Sequence, residues 1–329
     1  MSSEIVQRNK AIVWDFWQRF NESSADALPR VVQSCVHPNI VWHAPHPIND
    51  LMGTDALTQK FFKPLRESFP DLKRTNEIFI GGHVHWVGAI GFFSGTFARD
   101  WLGIPATGRE IQIRFGEFSA VYDDKIILTY IIPDILDVIR QAGFQLVPPS
   151  RGKEGMVTGP ITGDGVLLTP HDDAEGAKTL ALAKTMCGAL NTPECAKFWD
   201  AETMMWYGPS GIGTTRSYQE FEDLHENPFD HAFPYYGARF MGVHVAEVGE
   251  GNYAGWVGWP SIRATQSGEY LGCPPSGKLA EWRLMDFYRR EGDLIIENWV
   301  PVDMLHLFLT MGVDLLDKLQ NQIAEQRGR

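Results

Sequence analysis

Apolar positions along the chain change their period in a fixed order. Between Glu4 and Phe20, the residues Val6, Ala11, Val13, Trp14, Trp17 and Phe20 recur near helical spacing, which predicts an amphipathic helix at the start. A short apolar run at Ile40–His43 reads as a strand, and a Pro-rich loop then leads to a helix near Asp55–Phe69. In the next three stretches, Glu77–Val87, Ala89–Ala98 and Glu110–Tyr122, apolar or aromatic residues return at strand spacing. Asp123-Asp124 is a hairpin-turn signal, so Ile126–Ile132 is expected to pair antiparallel with the strand before it, and a short helix ends the series at Gly143.

The order then begins again. Asp172-Asp173 supplies acids suited to a helix N-terminus, and Ala174–Ala189 reads as the second opening helix. Shifted by 169 residues, Trp101-Leu-Gly-Ile-Pro-Ala-Thr-Gly-Arg109 falls on Tyr270-Leu-Gly-Cys-Pro-Pro-Ser-Gly-Lys278, and the match runs without a gap to Gly143/Gly312. Arg114/Arg283, Phe118/Phe287 and Asp134/Asp303 are among its identities. A weaker match upstream sets Val41-Trp-His-Ala-Pro45 on Met205-Trp-Tyr-Gly-Pro209. Such a fixed period marks an internal repeat. Between the copies, four prolines and five glycines lie within Val147–Asp172, a composition typical of linkers. The predicted organisation is domain 1 at 1–147, a linker at 148–172 and domain 2 at 173–329. Helices covering one face of a curved antiparallel sheet make each an α+β unit whose concave side can enclose a cavity.

Charge narrows the partners. A formal net charge of −12 with no basic run argues against nucleic acid, whose phosphates draw clustered Lys and Arg. No window approaches the run of about 20 apolar residues that spans a bilayer, so no membrane association is expected and a cytoplasmic location is the expectation. Cys35, Cys187, Cys195 and Cys273 show neither CxxC nor metal spacing and read as structural thiols. Aromatic residues make up 12% of the chain and must fill a core or wall a pocket, which suits a small apolar or aromatic ligand.

The segments Gly95-Thr-Phe97, Leu102-Gly-Ile-Pro-Ala-Thr-Gly-Arg109 and a hairpin leading through an aromatic–x3–Asp to a terminal helix resemble the SnoaL-like polyketide cyclases of the NTF2-like fold. Domain 2 resembles them more closely through Gly292-Asp-Leu-Ile-Ile-Glu-Asn-Trp-Val-Pro-Val-Asp303. The resemblance implies two tandem NTF2-like cones, each a curved sheet with helices around a cavity. It also implies cofactor-free intramolecular aldol chemistry, with Asp134 and Asp303 as general acid/base. By the same resemblance, His43 of His43-Ala-Pro45 lines the pocket. Domain 2 has Tyr207 there, and the family's glutamate is present as Glu297 but is Leu128 in domain 1, so the two cavities are not expected to be equivalent. Related single units pair through their sheets, which implies an internal pseudo-dimer of the two domains, with further homo-oligomerisation open.

Counting back from a Gly292-Asp293 turn opposes Glu297 to Tyr288, Trp299 to Asp286 and Asp303 to Trp282, and alternation puts all six on one face. Three carboxylates among aromatic rings are odd for a core and natural for a polar site. Aromatic walls raise a carboxyl's pKa toward the range of a general base. The same count in domain 1 gathers Glu117, Tyr130 and Asp134. Capping of the terminal helix is the plainer role for Asp134 and Asp303. The pairs His43/His46 and His83/His85, the latter expected on a strand, lack further ligands at metal spacing, and no metal site is expected. Three functions remain: a cyclase, isomerase or lyase for a small apolar carbonyl compound; a non-catalytic ligand-binding or scaffold protein; and an epoxide hydrolase. Against the last, the count puts Arg114 and Arg283 on the face opposite the aspartates.

Overall fold

The computed structural model describes residues 2–83, 85–190, 192–234 and 244–327. Two open six-stranded sheets dominate it. The first contains β1 (Val36–His43), β2 (Leu51–Met52), β3 (Lys73–Gly82), β4 (Trp86–Thr96), β5 (Glu110–Tyr122) and β6 (Lys125–Pro133), in the order β2-β1-β6-β5-β4-β3. The second contains β7 (Met205–Tyr207), β8 (Thr214–Arg216), β9 (His244–Glu250), β10 (Tyr253–Thr265), β11 (Leu279–Glu291) and β12 (Leu294–Trp299), and repeats the order as β8-β7-β12-β11-β10-β9. In each sheet one pair is parallel, β1 with β6 and β7 with β12, and the rest are antiparallel. The long strands β5 and β11 begin and end at the 169-residue offset.

The opening helix Ser2–Glu22 lays Val13, Phe16, Trp17 and Phe20 against the first sheet, and its counterpart Asp173–Gly188 lies against β9 and β10. The hairpin between β3 and β4 turns after Gly82, several residues before the expected break at Gly88. His83 therefore lies at that turn and not on a strand. Between each second strand and third strand, an α-helical segment passes through one π-helical turn, Thr58–Phe62 in unit one and Glu222–Glu226 in unit two.

The convex sheet faces pack on each other. Ile78, Ile80, Ile90, Phe118 and Ile132 of unit one form one core with Val248, Val257, Met285 and Phe287 of unit two. Phe118 and Phe287, equivalent by the repeat, meet with ring centroids 5.0 Å apart. The approach is close enough that a Cβ at Gly116 would stand 2.8 Å from Pro301 and 2.9 Å from Met285, so this position needs glycine. Buried Lys10 reaches across to Glu250, whose other oxygen accepts the Gly81 N–H at 2.8 Å.

The Pro/Gly-rich stretch does not hang free. Its Gly165 and Leu167 bond with Phe79 of β3, and its Lys153 exchanges N–H···O bonds with Thr214 of β8. Thr158 accepts the Trp299 indole N–H at 2.8 Å.

Candidate functional site

One feature of register decides which side chains meet. In β11–β12, Glu291 opposes Leu294, but a bulge follows, after which Glu297 opposes Arg289 and Trp299 opposes Phe287. The equivalent bulge interrupts β5–β6 between Ala120 and Val121. One extra residue per hairpin, Ile127 or Ile296, moves everything beyond it to the other face. The single-face set counted from the turn is thereby split.

Trp282, Asp286 and Tyr288 point into the cone of unit two, together with Asn298 of β12. They line a cavity of about 110 Å³ whose other walls include Trp199, Trp206, His225, Phe229, Trp256 and Tyr270. Glu297, Trp299 and Tyr207 lie on the convex side. There Tyr207 stacks on Trp299 at 5.1 Å and donates to Glu297 at 3.1 Å, and Glu297 also holds the buried Arg289 guanidinium. Burial raises the Tyr207 phenol to about 12. His43 and Tyr130 occupy the same convex position in unit one, stacked at 4.4 Å beside Trp259, with His43 Nδ1 2.8 Å from Asp50.

Asp134 and Asp303 line neither cone. Each caps its terminal helix, accepting the N–H of Asp137 or His306 at 3.1 Å. The second oxygen of each reaches the other unit: Asp134 accepts the Ser210 N–H at 3.0 Å and Asp303 accepts the His46 N–H at 2.9 Å. His46 and Ser210 are equivalent by the upstream repeat, so the two contacts are reciprocal. Arg114 and Arg283 stand 3.6 Å from Asp134 and Asp303, which corrects their expected placement on the opposite face. Burial holds both carboxyls up at about 6, with the N–H donors and arginines pulling the other way.

The cone of unit one is filled. Trp17, Trp42, Phe62 and Phe93 pack edge to face, and the buried Arg74 guanidinium lies over Trp17 at 3.9 Å and Phe115 at 4.0 Å. Arg74 ion-pairs with Glu117, which also accepts the Trp17 indole N–H at 3.2 Å and the Ser119 hydroxyl at 2.7 Å.

Glu117 and Asp286 are equivalent by the repeat, but their surroundings differ. Asp286 accepts the Trp256 indole N–H at 3.0 Å and an Asn298 amide N–H at 3.4 Å. Among the described residues no cation lies within ion-pair distance of it, whereas the buried Glu117, Glu250, Glu297, Asp134 and Asp303 each have one. Burial therefore raises its pKa, against the pull of those donors and of His244. Tyr288 beside it is pushed well above the ordinary phenol value and lies 3.5 Å from Cys187 Sγ. Across the cavity His225 stacks on Trp206 at 4.0 Å, and burial lowers its pKa to about 3, so it is neutral at ordinary pH. His225, Trp256, Asn298 and Tyr270 were not singled out from sequence. A signal existed for His225: Phe221, His225 and Phe229 recur every four residues on one helical face.

Among the described residues no group of three or more His, Cys, Asp or Glu is placed to hold a metal ion, and no helix is long and apolar enough to cross a membrane.

Residues 11–142 match the family model described as SnoaL-like polyketide cyclase. No curated protein matches the chain. Solved structures similar to one unit include a SnoaL-like protein of Jannaschia sp. CCS1, with 18% identity over 43% of this chain and 95% of that one (TM-score 0.39). TsrD of Streptomyces laurentii shares 23% identity over 40% and 96% of the two chains (TM-score 0.35). A SnoaL-like polyketide cyclase of Agrobacterium tumefaciens strain C58 shares 20% over 40% and 95% (TM-score 0.33).

Proposed function

From the premise that this chain is a tandem of two NTF2-like units belonging with the SnoaL-like polyketide cyclases, we propose that unit two is a cofactor-independent acid/base enzyme for a small carbonyl compound. The observation that carries this is Asp286, an enclosed carboxylate with no ion-pair partner among the described residues, in an aromatic-walled cavity. Such a group accepts a proton from carbon beside a carbonyl more readily than a paired or solvated aspartate, because its anion is less stabilised. Tyr288 and Asn298 flank Asp286 and orient it, and the rings of Trp282 and Trp256 hold a planar substrate. The proton taken from carbon returns to oxygen or to a second carbon, which gives isomerisation, ring closure or elimination according to the substrate. An engineered apolar cavity of about 150 Å³ binds benzene, so the chamber of about 110 Å³ admits at most a single ring and excludes a polycycle.

Unit one carries no equivalent site in this reading. Its cone is occupied by aromatic rings, and Arg74 neutralises Glu117, so it acts as a scaffold on which unit two is mounted as an internal pseudo-dimer.

The test does not require the natural substrate. Deuterium uptake at the α-carbon of cyclohexanone or acetophenone, followed by proton NMR in D₂O, reports proton abstraction directly. Wild-type protein should accelerate it, and Asp286→Asn should reduce the acceleration by roughly 10²–10⁴-fold while Asp303→Asn retains most of it. Equal exchange by wild type and Asp286→Asn would refute the assignment. A wild type that binds acetophenone without exchanging its protons would point to a carrier.

A further inference from the structure

The cavity holding Asp286 is not the whole of the space available to a ligand. A second chamber of about 140 Å³ adjoins it, and Ile212, His225 and Tyr270 line both. These three residues therefore stand at the boundary between the two chambers. The outer chamber is walled by Leu224 and Pro228 of the helix on one side and by Pro148, Pro149 and Arg151 of the inter-unit stretch on the other. A separate unit lacking that stretch would have no such chamber.

The partition is polar where it has no structural need to be. Tyr270 is only 3% exposed, yet its hydroxyl has no hydrogen-bond partner among the described residues, and neither does Nδ1 of His225. A buried hydroxyl left unpaired costs about 1–3 kcal/mol. The equivalent position in unit one is Trp101, which packs on Phe69 and has no hydroxyl to satisfy. Tyr270 sits with Phe233, whose ring meets Trp282 at 4.4 Å. Trp282 and Asp286 are four residues apart on one strand, or roughly 13 Å. The Tyr270 ring is thus linked through Phe233 to Trp282, four residues along the strand from the carboxylate.

We propose that the ligand spans both chambers: a ring with its reacting carbonyl at Asp286, and a tail bearing a second oxygen acceptor that receives the Tyr270 hydroxyl at the partition and continues into the outer chamber. This inference rests on the reading of Asp286 and adds the substrate class, a monocyclic carbonyl compound carrying an ester, keto or similar oxygenated side arm opposite the reacting group. The inner chamber alone is too small for such a molecule, and a purely apolar tail would leave the Tyr270 donor buried and unpaired.

Calorimetric titration with three probes tests it: acetophenone, methyl 4-acetylbenzoate and 4-propylacetophenone. The last two match closely in length and differ in the acceptor oxygens of the tail. Wild type should bind the ester roughly 3- to 10-fold more tightly than the propyl compound, the worth of one hydrogen bond. Tyr270→Phe should erase that preference. Leu224→Trp, which fills the outer chamber, should weaken both tailed probes at least tenfold and leave acetophenone binding intact. Equal binding of the two tailed probes by wild type, or a preference that survives Tyr270→Phe, would overturn the proposal and leave the Asp286 reading standing. Failure of acetophenone itself to bind wild type would instead remove the inner site and this proposal with it.

Discussion

Replacing Asp303 with alanine separates a clamp between the units from a solvent-facing carboxylate by the sign of a pH dependence. At pH 7.5 the substitution removes a helix cap worth about 1 kcal/mol and leaves the His46 N–H without its acceptor, at a further cost of about 1–3 kcal/mol. Asp303 is enclosed, and in the fold it ionises near pH 6, above its ordinary 3.8. Between those values the folded chain keeps a proton that the unfolded chain has released, so the contribution of Asp303 is fully present at low pH and declines as pH rises through 6. One pKa unit corresponds to about 1.4 kcal/mol. At pH 5 the solution lies one unit below the folded value, so the substitution should cost about 1.4 kcal/mol more at pH 5 than at pH 7.5. Urea unfolding of wild type and variant at both pH values gives the difference directly. His225, lowered to about 3, destabilises both proteins alike as the medium is acidified below 6.5 and cancels in the subtraction. His46 and His306, whose pKa values are also lowered and whose backbone N–H groups Asp303 accepts, are replaced by Gln in both proteins so that the difference reports Asp303 alone. A cost that shrinks on acidification, as for a carboxylate stabilised by a salt bridge, would refute the placement of Asp303.

Arg74→Met should cost about 3–5 kcal/mol in urea unfolding by leaving Glu117 charged inside the filled cone, and adding Glu117→Met should restore a large part of it. Gly91→Ala should destabilise by more than about 4 kcal/mol in the same assay, because its Cβ would lie 1.9 Å from the Thr75 carbonyl oxygen, a backbone atom that cannot move aside. Lys10→Met strands Glu250 at the junction of the units; a thermal unfolding profile that stays unchanged would show that this pair does not hold them together.

Much of the architecture was legible because it depends on periodicity. Helical and strand spacings repeat at a constant offset, and β5 and β11 keep that offset to the residue. The face on which the candidate residues lie was not legible. Ile127 and Ile296 are apolar residues in apolar strands, and no glycine or turn residue marks either as the inserted one, so the alternation reads as unbroken. Counting from the turn therefore sent Glu297 and Trp299 to the same side as Asp286. The contrast between the two cones was equally hidden. It turns on Arg74, a residue 43 positions from Glu117, and no local pattern announces that pairing. Capping by Asp134 and Asp303 was foreseen from residue type, but their second oxygens bond to backbone of the other unit, a contact that only the folded arrangement of the two sheets supplies.

Those two cross-unit contacts have a consequence for how the halves can diverge. Each acid grips a peptide N–H, a group every residue except proline provides, so histidine at 46 and serine at 210 serve equally well. The joint is specified by the path of the main chain and is indifferent to the side chains displayed there. Substitutions can accumulate on either loop, and one cone can fill with aromatic rings while its twin stays open, without either half losing its grip on the other.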